Sequence, residues 1–558
     1  MSKSTEKIWK QYEKGLDFNN KLRLAKNVQN NENFFIGRQW EGVASNGLPT
    51  PVFNILKQIV LHQVATITSD NFTISASPLR ASSNDKRLEM IAQVANTELR
   101  ALFKINKLPS LARIMMRNAA VDGDGCLFTY FDPDSPTGIK GVKGAIKTEV
   151  LENTRVLFGN ANTRDVQKQP YIIIWKRKMV DEVKEIARQN GVSEDEIEQI
   201  KPDDDDNGSK MDGYVDDKVT VLLKLWRDKK TGTVWGTEVT KNVEIRKPYD
   251  VRVKSYPVTW ICWDYVQDSY HGQALITGLI PNQEFINKAY AMAMLSLMMS
   301  AFPTRVYDST RVKAWTNQVG AQIAVQGNVD GIAKILEPAQ ISPQIAQFIN
   351  STIENTQSLT GATAAALGNT RPDNTSAIIA LQRAAAIPAE LTKQNLYECI
   401  EDLGRIYIEF MAAYYGLRPV DVPVAAVLGE EAAHFAASEV GTMQQDFDFS
   451  ELTDCPMTIG LDVGASSYWS EVASMQTLEN LLQLNLITLA DFLERIPDGY
   501  VAKRQELLDK YKRKESAMSM AQEMPPEDED IVAQDDTATE IPETSGNSRL
   551  QREVAAGV

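Results

Sequence analysis

The pattern of apolar and polar positions changes period three times along this chain. From Ile8 to Phe35 the apolar residues recur at helical spacing, and the run ends in the aromatic cluster Phe34, Phe35 and Trp40 around Gly37. A proline-rich turn, NGLPTPVF, leads into a helix predicted over NILKQIVLHQVATITSD. Further helices are predicted over NDKRLEMIAQVANTELRALFKIN and LARIMMRNAAVDG. From Cys126 to about Tyr265 the period falls to two. CLFTYFD, AIKTEVL, TRVLFG, YIIIWKRKM, VTVLLKLWRD, TVWGTEV and SYPVTWICW are short runs rich in β-branched and aromatic residues. Asp228 to Gly232 reads as a hairpin turn between two of these strands. A helical pair, VDEVKEIARQNG and SEDEIEQI, is inserted among them, and Ser193-x-x-Glu196 predicts a capping box.

The segment Tyr270–Tyr307 stands apart. A helix is predicted to start at Ile280-Pro281-Asn282-Gln283, and after Lys288 no charge occurs until Arg305. A helix apolar on every side must be covered on every side, by lipid or by protein. The nearly uncharged run Ala289–Phe302, interrupted by Ser296 and Ser300, falls well short of the roughly 20 residues that span a bilayer. Packing against protein is therefore expected. A small mixed segment follows, with AQIAVQG and IAKILEP strand-like, then a second helix over SPQIAQFINSTIENTQSL. Gly361, Gly368 and Pro372 break GATAAALGNTRPDNTS. A long helix to about Tyr415 is predicted next, kinked at Pro388. MTIGLDVGASS (strand and turn) and the helices WSEVASMQTLENLLQLNLI, LADFLERI and VAKRQELLDKYKRK complete the ordered part.

Composition narrows the function. The chain has 558 residues, enough for about three or four domains, and is 43% hydrophobic and 24% charged. Its N-terminus, MSKSTEKIWKQYEK, carries no apolar run, which predicts no secretory signal. The four cysteines, at 126, 262, 399 and 455, form no CxxC and read as free structural thiols in a reducing compartment. Three histidines, at 62, 271 and 434, cannot build a metal cluster from sequence neighbours. A net charge of −15 argues against tight nucleic-acid binding. Part of that charge lies in Gln522–Thr544, which contains no Lys or Arg and predicts a disordered tail.

Candidate chemistry is sparse. No Walker A, GxSxG, HExxH or kinase set occurs. Gly138, Gly141 and Gly144 do not make a dinucleotide fingerprint. Asp203 to Gly208 resembles the first half of a calcium loop, but the twelfth position, where a bidentate Glu belongs, is Tyr214. A solvated acidic loop is expected there, and a turn at Asp122-Gly123-Asp124-Gly125. His271 beside Gly272 is expected to be structural, and no enzyme activity is expected.

The ordered stretches resemble the portal proteins of tailed bacteriophages over about residues 30–510. The resemblance rests on Phe34-Phe35-x-Gly37-x-Gln39-Trp40 with the proline turn and Asn54; on His271-Gly272 with Ile280-Pro281-x-Gln283-x-x-Ile286-Asn287; on Gly361, Leu367-Gly368, Asn374 and Ser376-Ala377; and on Asp462-Val463-Gly464-x-Ser466 with Glu494-x-x-Pro497-Asp498-Gly499. It implies an α+β, mainly α, ring-forming portal fold with wing, stem, clip and crown. The wing would be 1–270, with its β-rich part at 126–265. The first stem helix would be 271–302, the clip 303–341 and the second stem helix 342–360. The channel (tunnel) loop would be 361–376, the kinked helix and crown 377–515 and the acidic tail 516–558. Implied roles follow: Asn369, Thr370, Arg371, Asp373 and Asn374 at the DNA channel; Gln283, Asn287, Met294, Met298, Ile345 and Ile349 in the stem between subunits; Arg305, Arg311, Lys313 and Trp315 in the clip, where terminase and adaptor dock. The resemblance also implies a homo-oligomer of twelve copies at one capsid vertex of the virion, made in the host cytoplasm, without cofactor or membrane. Its partners would be the large terminase, the head–tail adaptor, the major capsid and scaffold proteins, and double-stranded DNA held weakly and non-specifically. The missing Walker A motif argues against the packaging ATPase, which a failed ATPase assay on purified protein would close. Another ring-forming head–tail adaptor or capsid structural protein is the alternative.

Overall fold

The computed structural model describes residues 3–45, 47–69, 72–79, 86–137, 142–203, 217–302, 304–312, 322–336, 343–362, 375–423, 442–453, 455–463, 478–484, 487–496, 507, 508 and 510. The chain divides into two units, Met1–Trp469 and Ser470–Val558.

The first unit mixes helix and sheet. It opens with α1 (Lys3–Lys21), α2 (Leu24–Ile36) and α3 (Ile55–Ile67), and continues with α4 (Lys86–Ile105) and α5 (Leu108–Asp122). The single helix expected over Ile8–Phe35 is two, because Arg23 takes the left-handed conformation at φ 53° and turns the chain between α1 and α2. Gly37, at φ 94°, ends α2 in the same conformation and returns its N–H to Asn33 O.

Among the described residues all strand pairings are antiparallel. The five-stranded sheet is a meander of β4 (Val156–Phe158), β5 (Ile172–Met179), β6 (Lys218–Arg227), β7 (Val234–Val239) and β8 (Glu244–Asp250). A three-stranded sheet has the order β3 (Lys143–Leu151), β2 (Asp124–Pro136), β9 (Val258–Cys262). The Asp228–Gly232 turn joins β6 to β7 as expected. The Asp228 carboxylate accepts from the N–H groups of Lys230 and Thr231, both at 3.2 Å, which holds its pKa below the usual carboxylate range.

Strand β8 and the pair β1 (Phe72–Pro78)–β14 (Met457–Val463) complete the architecture, with β12 (Leu417–Pro423) pairing β13 (Thr442–Asp448). Of these only β14 carries an apolar run that periodicity can detect. Two further expectations are corrected. Residues 322–325 of the AQIAVQG segment form no strand, and Ser193 makes no backbone cap. Its Oγ donates to the Glu196 carboxylate instead, at 3.0 Å.

The principal core joins α2–α5, the three-stranded sheet, β1, β14 and the long helix α10 (Thr375–Tyr414), which runs through Pro388. Leu99, Met115, Ala119, Leu403 and Tyr407 are fully buried in it. A second cluster seats α6 (Val180–Gln189) and α7 (Glu194–Ile197) on Val219, Val221, Val243 and Ile245. A third seats Ile8, Trp9 and Tyr12 of α1 on one face of the five-stranded sheet. The four cysteines are free and buried, and burial pushes the Cys399 thiol up to about 12, which suits structural rather than reactive groups.

In the second unit the described helix α11 (Leu489–Arg495) starts with a complete capping box. Thr488 Oγ1 accepts from Asp491 N, and Asp491 Oδ2 accepts from Thr488 N. The acidic tail expected at 516–558 lies outside the described residues.

Candidate assembly surface

The apolar segment forms α8 (Ile280–Ala301), with Pro281 in its first turn, where a missing N–H costs nothing. Its two halves differ in surroundings. In the N-terminal half Ile280, Gln283, Ile286, Asn287, Ala289 and Ala291 are buried. Two of these are amides, and a buried amide must be hydrogen-bonded. Gln283 Oε1 accepts from Ile55 N at 3.1 Å, and its Nε2 donates to Phe53 O at 2.6 Å and to Asn287 Oδ1 at 3.0 Å. Asn287 Nδ2 donates to Gln39 Oε1 at 2.6 Å, and Gln39 Nε2 to Phe34 O at 3.0 Å. Asn54 caps α3 through Lys57 N and donates to Phe35 O. The N-terminal aromatic motif and the start of α8, more than two hundred residues apart, are thus one hydrogen-bonded joint.

Two residues of the site expected from sequence belong to this joint. Gln283 and Asn287, 1% and 3% exposed, make their hydrogen bonds inside the subunit. Ile349 is likewise buried. Asn287→Leu is expected to lower stability by about 1–3 kcal/mol, because Gln39 Oε1 and Gln283 Nε2 each lose a partner in a buried place. Urea denaturation checks this; an unchanged midpoint would show that the network does not hold the joint.

The C-terminal half of α8 is bare. Leu297 is 71% exposed and Phe302 81%, and Met292, Met294, Met298 and Met299 are exposed with them. The helix's charges, Glu284 and Lys288, form a pair at 3.0 Å near its start. Helix α9 (Pro343–Leu359) returns against α8. Asn282 Nδ2 donates to Thr356 Oγ1 at 3.1 Å, and Phe285 meets Phe348 edge-on at 5.4 Å. Ile345 and Phe348 of α9 are exposed as well. Met294, Met298 and Ile345 are therefore apolar and exposed in the subunit, and so many large apolar side chains left uncovered on two adjoining helices are rare on a soluble monomer.

Between the two helices lies a short antiparallel ribbon, β10 (Thr304–Tyr307) with β11 (Ala333–Leu336). Arg305 stands opposite Ile335 in that register. After β10, Asp308 closes a turn by accepting from Thr310 N at 2.9 Å, and Arg311 lies 3.5 Å from its carboxylate. Arg311 is thus placed on the turn of the ribbon. Lys313, Trp315 and the loop residues Asn369, Thr370, Arg371, Asp373 and Asn374 lie outside the described residues.

The two other motifs noted in the sequence meet each other. His271 is buried, with Nδ1 donating to Asp124 Oδ2 at 2.7 Å and Nε2 3.1 Å from Asn19 Oδ1. Gly272 N donates to Asp124 Oδ1 at 2.7 Å. Gly123, at φ +102°, lies so close that a Cβ there would stand 2.7 Å from Gly272 O. The Asp122–Gly125 corner and His271-Gly272 are therefore an interlocked structural joint, with both His271 nitrogens within 3.1 Å of a polar side-chain atom. Sequence reasoning identified each as structural but had no signal that they touch.

Among the described residues no group of His, Cys, Asp and Glu could hold a metal ion, and no helix is long and apolar enough to cross a membrane. The family model for phage P22-like portal proteins matches residues 158–418, from β4 of the five-stranded sheet through α8, the ribbon and α9 to the start of β12. No curated protein matches the chain.

Proposed function

We propose, for a chain that the match places in the tailed-phage portal family, a closed ring of twelve copies at one capsid vertex, through which DNA is packaged and ejected. The family is structural rather than enzymatic, and its members belong to the capsid of the virion as oligomeric rings. The observation that carries the finer reading is the uncovered apolar half of α8 beside α9. Such a surface on a chain this size needs covering, and a heterologous contact that closes on itself covers it once per copy.

In this reading 1–270 is the wing, α8 and α9 are the stem, and the β10–β11 ribbon with Arg305, Arg311, Lys313 and Trp315 is the clip that receives terminase and adaptor. Residues 361–376 form the channel loop, with Asn369, Thr370, Arg371, Asp373 and Asn374 toward DNA. Residues 377–515 form the crown. One cation, Arg371, offset by Asp373, suits a conduit in which DNA must slide, since each retained phosphate contact adds to the grip. The major capsid and scaffold proteins would surround the ring.

Purified protein is expected to run as a closed ring of about 750 kDa, twelve chains of 62.2 kDa, in mass photometry, with cyclic symmetry in electron images. Monomers or dimers at every concentration would overturn the reading.

A further inference from the structure

The three-stranded sheet ends on one side at β9. Thr129 N donates to Pro257 O and Trp263 N to Gly123 O, both at 2.9 Å, so Thr259 and Ile261 turn their N–H and C=O groups toward β2. Val258, Trp260 and Cys262 turn theirs to the outer side. Just beyond each end of β9 that outer side is occupied. Gln167 Oε1 accepts from Tyr256 N at 2.9 Å, and Gln167 Nε2 donates to Tyr256 O at 3.2 Å, so one side-chain amide stands in for a neighbouring strand. Asp264 and Gln273 exchange both of their backbone bonds, at 3.2 and 3.0 Å. Between these two closures the outer N–H and C=O groups of Val258, Trp260 and Cys262 have no partner among the described residues.

Val258 and Cys262 are buried, and buried backbone groups are rarely left unpaired. The strand also lacks the usual guards of an edge, having no charge, proline or bulge from Val258 to Cys262. A cleft of about 380 Å³ runs against this stretch. One wall is α10, through Asn395, Glu398 and Asp402, and the other is the segment Arg164–Gln167. Asp402 is answered by Arg405 at 2.5 Å and Asp165 by Lys168 at 2.9 Å, and Arg164 lies 5.1 Å from the Tyr265 ring. Glu398 is exposed and has no ion-pair partner among the described residues. Helix α10 covers the sheet face that carries Thr129, whose hydroxyl reaches Tyr407 through Thr148. Thr259 and Ile261 share that face, because strand side chains alternate and Leu127 stands opposite Thr259.

We propose that the open edge of β9 takes an extended segment of a partner protein as a further strand, its main chain pairing with Val258, Trp260 and Cys262 and one of its lysine or arginine side chains meeting Glu398. Alternating donors and acceptors on a strand edge are matched by a second run of main chain, which lies about 4.7–4.9 Å away and offers both in the same rhythm. Side chains of the added strand opposite Thr259 and Ile261 stand on the α10 side, where Glu398 is the carboxylate left unanswered. Nucleic acid fits less well, since phosphate oxygens only accept and would leave the outer carbonyls unpaired.

The test uses the full chain and a short fluorophore-labelled peptide of alternating Lys and Val, read by anisotropy, with the same peptide N-methylated at every residue as control. Both peptides carry the same charge, so general attraction to an acidic chain acts on them alike. The unmethylated peptide is expected to bind at least about tenfold more tightly, since methylation removes its main-chain donors. Glu398→Lys changes an exposed helical position; it is expected to leave the melting temperature unchanged and to weaken the unmethylated peptide about fivefold. Amide hydrogen exchange over residues 256–264 is expected to slow when that peptide is added. Equal binding of the two peptides, equal binding by wild type and Glu398→Lys, or exchange that the peptide does not alter would overturn the proposal. So would equally slow exchange before any peptide is added, which would mean that water or a second copy already fills the edge. None of these readouts depends on the ring.

Discussion

Replacing Leu297 and Met298 together by glutamate is expected to give a folded chain that no longer assembles. Both side chains are exposed in the subunit, at 71% and 53%. Glutamate is a good helix former, so two such changes on an exposed face of α8 should alter subunit stability by no more than a few tenths of a kcal/mol each. At an interface the same carboxylates would be buried without partners. An unpaired charge removed from water costs several kcal/mol, and in a ring that cost recurs at every subunit boundary. Mass photometry should therefore show free subunits where the wild type shows rings, with the circular dichroism and melting of the subunit preserved. Persistence of rings would mean that this half of α8 faces solvent or a lumen and that another surface makes the contact. Asn287→Leu separates the two kinds of role on one helix: it acts on folding through the buried joint, whereas the glutamates act on association.

How far the sequence alone reaches depends on the range of the interaction. Helices α3, α4, α5 and α8 and the strands β2–β7 and β9 follow from local period, because each has its own buried face. β1 does not, since its residues FTISASP are small and polar and pair with β14 almost four hundred residues later. β8 does not, since EIRKPYD alternates poorly and carries a proline. The two-helix break at Arg23 depends on one left-handed residue that is not glycine, which no periodicity reveals. The candidate surface divides in the same way. The apolar face of α8 was legible as a face needing cover. Which of its polar residues face inward was not, because Gln283 and Asn287 read as surface groups until Gln39, Phe53 and Ile55 are brought to them by the fold. Likewise Asp122-Gly123-Asp124-Gly125 read as a turn. What the turn grips, His271-Gly272, is set by tertiary packing.

That joint also carries a pH dependence. Burial raises the Asp122 carboxyl to about 7 from 3.8; Arg117 opposes the rise, and Glu32, Glu152 and Asp124 add to it. Arg117 is already occupied by Glu32 at 2.5 Å, and Asp122 Oδ1 is sealed from solvent without a hydrogen-bond partner. The unfolded chain releases this proton near 3.8, while the folded chain keeps it until about 7. Between those values the folded state binds more protons than the unfolded one, so stability falls as pH rises through the interval and levels off above it. A shift of this size corresponds to about 4 kcal/mol. Asp122→Asn carries no charge at any pH. It is expected to match the wild type near pH 4 and to exceed its unfolding free energy by about 4 kcal/mol at pH 8, with a flatter profile between. Urea denaturation at a series of pH values measures this directly. Parallel profiles for the two proteins would mean that the carboxylate finds water or a cation that answers its charge, and that the α5–β2 corner is more open than its packing against Gly272 indicates.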